Sequence, residues 1–74
     1  MRDANPTPRQ RDALAAYVAA GGSVADAAAL LGIRPSTVKR HLADLRARFD
    51  LSTEQLIYAG RVAGWLVVPA LEPS

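Results

Sequence analysis

The sequence predicts an all-α domain, a four-helix bundle-like arrangement that contains a helix-turn-helix. Apolar side chains recur every three or four residues through most of the chain, which is the period of an α-helix. Residues that favour the starts and ends of helices stand between these periodic segments. Half of the 74 residues are hydrophobic and alanine is plentiful, so helices alone can bury a small core.

The first predicted helix has a well-marked start and end. Thr7 is the expected N-cap, with Pro8 at the first helical position and Gln10 placed to complete a capping box. Gly21 and Gly22 can adopt the left-handed conformation that ends a helix. We expect its buried stripe to consist of Leu14, Tyr17 and Val18.

The second predicted helix is short, apolar and rich in alanine. Ser23 is its expected N-cap, and Asp26 in the first turn favours the positive end of the helix dipole. Gly32 is expected to form the turn that follows, because glycine takes a positive φ without strain. The side chains predicted to face inward are Ala27, Ala28 and Leu31, with Ile33 behind the corner.

The third predicted helix runs from Pro35 to Phe49 and is basic. Its apolar residues recur at spacings of four, three and four, which places them along one inward stripe: Val38, Leu42, Leu45 and Phe49. The other faces carry Ser36, Lys39, Arg40, Ala43 and Arg46. A short helix, a glycine turn and a basic second helix are the pattern of a helix-turn-helix that reads DNA. Arg34 stands where a capping serine or threonine is usual, so the cap involves Ser36 or Thr37 or is absent.

Positive charge is concentrated in this part of the chain. The formal net charge is only +2, yet five of the nine basic residues lie between Arg34 and Arg48, against a single acid, Asp44. A basic helix on a near-neutral scaffold is expected of a nucleic-acid binder, because phosphate neutralisation supplies much of the affinity. The alternative is a charged face that only meets solvent.

The fourth predicted helix begins at Ser52 with a second box-like pattern. It has two apolar sides, although packing on a three-helix core needs only one. We therefore predict that the second side forms a twofold contact with another copy of the chain. The expected contact residues are Tyr58, Arg61, Val62 and Trp65. Alternatively, Trp65 folds back with Leu66, Val67 and Val68 to complete the core of its own chain.

Several classes of function are disfavoured. Without cysteine the chain has no disulfide and no thiolate chemistry, and a single histidine, His41, cannot build a metal site. No histidine and acid are arranged to activate Ser36 or Thr37 as a nucleophile, and no glycine-rich phosphate loop occurs. We expect no catalytic residue, no cofactor and no enzyme activity. No apolar run is long enough to span a membrane and no signal peptide is visible, so we expect a cytoplasmic protein.

The chain resembles the LuxR-type (GerE-like) helix-turn-helix domain found in many bacterial transcription regulators. The resemblance is carried by TPRQRDAL in the first helix, by AxxLGI at the turn and above all by PSTVKRHLADLRARF in the third helix, and it covers about residues 7–66. It implies a four-helix domain that binds double-stranded DNA as a homodimer. The third helix would enter the major groove, and the fourth would form the dimer contact.

The resemblance also implies roles for individual residues. Positions matching Lys39, Arg40 and Ala43 are best placed to meet base edges, and those matching Thr37, Lys39 and Arg46 approach phosphates. An arginine can pair bidentately with guanine, so Arg40 is the strongest candidate for sequence discrimination. His41 is expected to form a hydrogen bond near the backbone or a phosphate. The complete set of predicted DNA-binding residues is Arg34, Ser36, Thr37, Lys39, Arg40, His41, Ala43 and Arg46.

We predict a flexible arm at residues 1–6, the helix-turn-helix domain at residues 7–66 and a tail at residues 67–74. The start of the sequence and its short tail favour a stand-alone member of the family. Two alternatives to an independent DNA-binding regulator remain. One is a protein-interaction module of the same fold that docks on RNA polymerase or on another regulator. The other is a sigma-factor-like region that reads promoter DNA while bound to polymerase.

Overall fold

The computed structural model describes residues 6–66, which form four α-helices and, in that range, no strand. The helices are α1 (Pro8–Ala19), α2 (Val24–Leu31), α3 (Pro35–Phe49) and α4 (Thr53–Ala63). The all-α fold class predicted from the sequence is therefore confirmed. Of the predicted N-terminal arm only Pro6 is described, and it is buried. The rest of that arm and the tail at residues 67–74 lie outside the described residues.

Two helices begin with complete capping boxes. Thr7 Oγ1 accepts a hydrogen bond from the Gln10 backbone N–H at 3.2 Å, and Gln10 Oε1 accepts one from the Thr7 N–H at 3.0 Å. Ser52 and Gln55 repeat this arrangement at the start of α4, at 3.1 and 2.9 Å. Each box satisfies two backbone donors that a helix would otherwise leave free. Both helix starts are therefore fixed by local sequence, as predicted.

The turn between α2 and α3 depends on the backbone conformation of Gly32. Ser23 caps the start of α2 by accepting from the Asp26 N–H at 3.1 Å. Gly32 ends the helix with φ 68° and ψ 32°, and the Ile33 N–H then bonds the Ala28 carbonyl at 3.1 Å. This left-handed residue redirects the chain into α3 within a few residues. The helix-turn-helix predicted from the sequence is thus present.

The core lies where α1, α2 and α3 meet, and α4 packs on α3. The predicted stripe of α3 is correct, since Val38, Leu42 and Leu45 are buried and Phe49 is half-buried. The stripe of α1 is broader than predicted because α2 and α3 both pack against this helix. Its buried residues are Gln10, Ala13, Leu14, Ala15 and Ala16, while Tyr17 and Val18 are only half-buried.

The position of Trp65 agrees with the alternative prediction, in which its side chain folds back on its own chain, and not with the predicted dimer contact. The left-handed turn at Gly64, with φ 80°, ends α4 and turns the chain back towards the core. The Trp65 ring packs on Phe49, with 5.6 Å between ring centroids and 42° between ring planes. Tyr58 and Val62 instead remain exposed. The prediction that all three side chains share one outward face is therefore wrong for Trp65.

Candidate nucleic-acid interface

The outer face of α3 presents three cations to solvent. Arg40 is two residues from both Val38 and Leu42, and at about 100° per residue this puts it on the side of the helix opposite the buried stripe. All five residues predicted to lie on the outer faces are exposed: Ser36, Lys39, Arg40, Ala43 and Arg46. The buried stripe and the exposed side with Arg40 are thus on opposite sides of one helix.

One flank of this face carries Lys39 and Arg46, which are two helical turns apart. Both are exposed, but their surroundings differ. The Arg46 guanidinium donates a hydrogen bond from Nη1 to Oγ1 of Thr53, the first residue of α4, at 3.1 Å. Arg46 is therefore anchored to the neighbouring helix. Lys39 forms no hydrogen bond or ion pair with any residue in the described part of the chain.

His41 lies on the other flank of α3, away from the outer face. It is half-buried and lines a hollow of about 240 Å³ together with Arg9, Asp12, Leu31 and Ile33. These residues come from α1, the end of α2 and the turn. The structure therefore separates His41 from Arg40 and places it beside an exposed cation of α1 that the sequence had not singled out.

Arg9 was missed because no local pattern marks it. It follows Pro8 in the first turn of α1, and only the packing of α1 against α3 brings it to the hollow beside His41. Arg48 was counted among the basic residues but given no contact. Its guanidinium lies 6.0 Å from the centroid of the Phe49 ring, within the range of a cation–π interaction.

The N-terminus of α3 has no side-chain cap. Arg34 occupies the N-cap position with extended backbone angles, and its carbonyl accepts from the N–H groups of Thr37 at 3.0 Å and Val38 at 3.2 Å. Arg34 and Ser36 are exposed, and Thr37 is half-buried. Of the three readings left open by the sequence, the absent cap is therefore correct. The positive end of the helix dipole at this N-terminus favours anions.

The exposed side of α4 is separate from this basic surface. Tyr58 and Val62 are 72% and 73% exposed, and Arg61 is also exposed. Leu30 of α2 is a third large apolar side chain in solvent, at 58% exposure, and no pattern in the sequence predicted it. The structure thus keeps Tyr58, Arg61 and Val62 available on α4.

Among residues 6–66, no group of three or more histidine, cysteine, aspartate or glutamate side chains could hold a metal ion. In the same part of the chain, no helix combines the length and apolar character needed to cross a membrane.

Comparison with known families gives a match that covers the first three helices. The model of the family "Sigma-70, region 4" matches residues 7–49, which cover α1, α2 and α3 and the turn between the last two. No curated protein and no solved structure matches the chain. The match confirms a DNA-binding helix-turn-helix family, whereas the specific LuxR type stays a prediction. Because it covers more than half of the sequence, the chain belongs to the sigma-70 region 4 family, a helix-turn-helix family related to the LuxR-type domains.

Proposed function

We propose that the chain is a small transcription regulator that binds double-stranded DNA sequence-specifically, with α3 in the major groove. The observation that carries this proposal is the exposed surface of α3, where Arg40 lies opposite the buried apolar stripe and Lys39 and Arg46 are exposed on one flank. An α-helix fits the major groove, in which every base pair presents a distinct pattern of donors and acceptors. If these cations only met solvent, nothing would require all three to be exposed on the second helix of a helix-turn-helix.

Arg40 is the proposed reader of sequence. It lies on the side of α3 opposite the buried stripe, and its planar guanidinium can donate two parallel hydrogen bonds to guanine O6 and N7. Ala43, exposed on the same face, can offer a methyl contact to thymine. Lys39 and Arg46, on the flank, are proposed to contact phosphates of one strand. Together these contacts orient α3 and discriminate between bases.

The remaining predicted contacts lie at the start and on the opposite flank of α3. Arg34, Ser36 and Thr37 surround the uncapped helix N-terminus, which suits a phosphate. His41 is half-buried, so we propose that it acts at the edge of the interface, beside Arg9. Two flanks with cationic groups match the two phosphate backbones that border a major groove.

A homodimer through α4 is the second part of the proposal. Tyr58 and Val62 are large, apolar and exposed, and Arg61 adjoins them. A twofold contact through this side would present two copies of α3 to successive major grooves of an imperfect palindrome. Trp65 is omitted from this contact because its ring already packs on Phe49.

Docking on RNA polymerase is the second candidate function, and the family match favours it. In this alternative the chain reads promoter DNA while bound to polymerase, and the exposed side of α4 meets polymerase instead of a second copy. Both candidates share the DNA contact of α3 and differ in the protein partner. We also propose that the chain is a non-enzymatic cytoplasmic protein, with its binding domain at residues 7–66.

The decisive experiment is a selection of bound sites from random duplexes at two salt concentrations, with and without core RNA polymerase. An independent regulator should enrich one imperfectly palindromic site without polymerase. A polymerase-dependent domain should enrich a site only when polymerase is present. Failure to enrich any sequence under either condition, at salt concentrations where the chain still binds bulk duplex, would remove sequence-specific binding from the proposal.

A further inference from the structure

The exposed side of α4 carries one acid and one base, nearly two turns apart. Glu54 lies in the first turn and Arg61 in the last, and both are exposed. Seven residues are about 20° short of two turns, so the two residues lie on one line along the helix, about 10.5 Å apart. Both also line a second hollow, of about 370 Å³, between α4 and the C-terminal part of α1. This line of charge therefore borders the exposed side of α4 next to α1.

The groups on this side of α4 lack partners in the part of the chain that the structure describes. Within residues 6–66, the side chains of Glu54 and Arg61 form no hydrogen bond and no ion pair. Tyr58 and Val62, beside them, are large apolar residues exposed to solvent. Tyr58 is also the central residue of α4. The surface thus has an apolar centre, with a negative group towards one end of the helix and a positive group towards the other.

A twofold axis can place these opposite charges against each other. If the axis is perpendicular to α4, the partner helix runs antiparallel, and residues at equal distances on either side of the axis meet. With the axis halfway between positions 57 and 58, position 54 of each copy lies opposite position 61 of the other. Because these two positions share one line of the helix, both pairs form at the same time. A parallel arrangement would instead bring like charges together.

The symmetry of this surface favours a second copy over an unrelated partner. An isologous contact requires a surface that is complementary to itself, and opposite charges at equal distances from an apolar centre satisfy this requirement. An unrelated partner would require no such symmetry. Antiparallel α4 helices also bring the positive N-terminal end of each helix dipole beside the negative C-terminal end of the other.

We infer that two copies of the chain associate through antiparallel α4 helices, with Glu54 of each copy paired with Arg61 of the other. The two Tyr58 rings then meet near the twofold axis. This inference rests on the proposed homodimer and adds the direction of the helices and the residues that determine it. Tyr58 and Val62 supply the apolar contact, and the two ion pairs fix the register of the helices.

Charge reversal and mixing test this arrangement in the full chain. Sedimentation equilibrium gives the dissociation constant of the dimer for the parent, for Glu54→Arg, for Arg61→Glu and for an equimolar mixture of the two variants. In either variant alone, both contacts join like charges. In the mixture, each contact again joins a cation with an anion. Arg11→Glu is the matched control, because it changes the net charge as Arg61→Glu does but lies on the exposed surface of α1.

We expect each charge reversal alone to weaken the dimer at least about tenfold and the mixture to return to within about threefold of the parent. Arg11→Glu should change the dissociation constant by less than about twofold, because the residue is outside the contact. Circular dichroism verifies that each variant is folded.

The outcomes separate this inference from the proposed homodimer. A parent dimer that both reversals leave intact would overturn the antiparallel pairing, while the homodimer would stand. A mixture as weakly associated as the single variants would also overturn it. A parent chain that remains monomeric would overturn the pairing and the homodimer together, and polymerase would then be the candidate partner of α4. The DNA contact of α3 is measured separately, by the selection of bound sites.

Discussion

The guanidinium of Arg46 donates a hydrogen bond to the hydroxyl of Thr53 at 3.1 Å. This bond links the outer flank of α3 to the first residue of α4, directly after the Ser52 cap. The same side chain is a proposed phosphate contact. Arg46 therefore combines a structural contact within the domain with a proposed contact to DNA, whereas Lys39 on the same flank has only the second, proposed role.

This difference predicts distinct effects of two alanine substitutions. Lys39→Ala and Arg46→Ala should both weaken binding to all duplexes and lower the salt dependence, because each removes one phosphate contact. Arg46→Ala should also lower the free energy of unfolding, by up to about 1 kcal/mol, since it breaks an exposed hydrogen bond. Urea denaturation and binding titrations at several salt concentrations measure the two effects.

Thr53→Val is the control for the structural part, because it removes the hydroxyl and leaves the charge of Arg46 in place. It should reproduce the loss of stability without the change in salt dependence. If Arg46→Ala left the salt dependence of binding unchanged, the phosphate contact of Arg46 would be excluded.

Arg40→Ala should remove sequence discrimination. Loss of a bidentate contact with guanine is expected to cost about 1 to 3 kcal/mol on the preferred site and little on random duplexes. Arg11→Ala is a matched control, since Arg11 is also exposed but belongs to α1, outside the helix-turn-helix. Competition binding measures, for each variant, the ratio of its affinities for selected and random duplexes. An unchanged ratio in the Arg40 variant would exclude the reading role.

The parts of the fold that the sequence predicted well are set by local chemistry. The boxes of Thr7 with Gln10 and of Ser52 with Gln55 involve residues three apart, so a short window of sequence contains both partners. The left-handed turn at Gly32 likewise depends on a single residue. The helical period of α3 was sufficient to place Arg40 opposite the buried stripe.

The contacts that the sequence did not predict depend on how helices cross. Arg46 reaches Thr53 only because α4 packs on α3, and Arg9 comes beside His41 only because α1 packs on α3. Trp65 was misplaced because helical spacing was extended past Gly64, where the helix ends. The sequence indicated the LuxR type first and a sigma-factor-like region only as an alternative, because a short helix, a glycine turn and a basic helix are general features of the helix-turn-helix.

Two substitutions at left-handed positions should have opposite effects on stability. Gly32 has φ 68°, and a Cβ there would meet no atom within 4 Å, so Gly32→Ala suffers conformational strain without a clash. We expect a loss of about 1 to 2 kcal/mol. Asp50 has φ 55°, and Asp50→Gly should stabilise the domain by up to about 1 kcal/mol by relieving that strain. Thermal or urea unfolding gives both values, and equal signs would contradict this account.

Gly60→Ala should destabilise the domain through Leu66. The added Cβ would approach Leu66 at 3.1 Å. Overpacking of this kind lowers the free energy of unfolding by about 1 to 3 kcal/mol. Replacing glycine within a helix raises it by only about 0.5 to 1 kcal/mol. In the Leu66→Ala background the penalty should largely disappear, because the crowded atoms are gone. A double-mutant cycle by urea denaturation measures this coupling. Additive effects of the two changes would exclude a direct contact between residues 60 and 66.

Substitutions on α4 should separate association from stability. Val62→Asp places a charge on the exposed apolar side, next to Tyr58, so it should dissociate a homodimer and leave the free energy of unfolding of the monomer nearly unchanged. Trp65→Ala should instead lower the stability of the monomer, by about 1 to 3 kcal/mol, because its half-buried ring packs on Phe49. Sedimentation equilibrium measures the association, and denaturation of the dilute monomer measures the stability. A parent chain that remains monomeric at high micromolar concentration would contradict the proposed dimer. The exposed side of α4 would then be assigned to a different partner, such as polymerase.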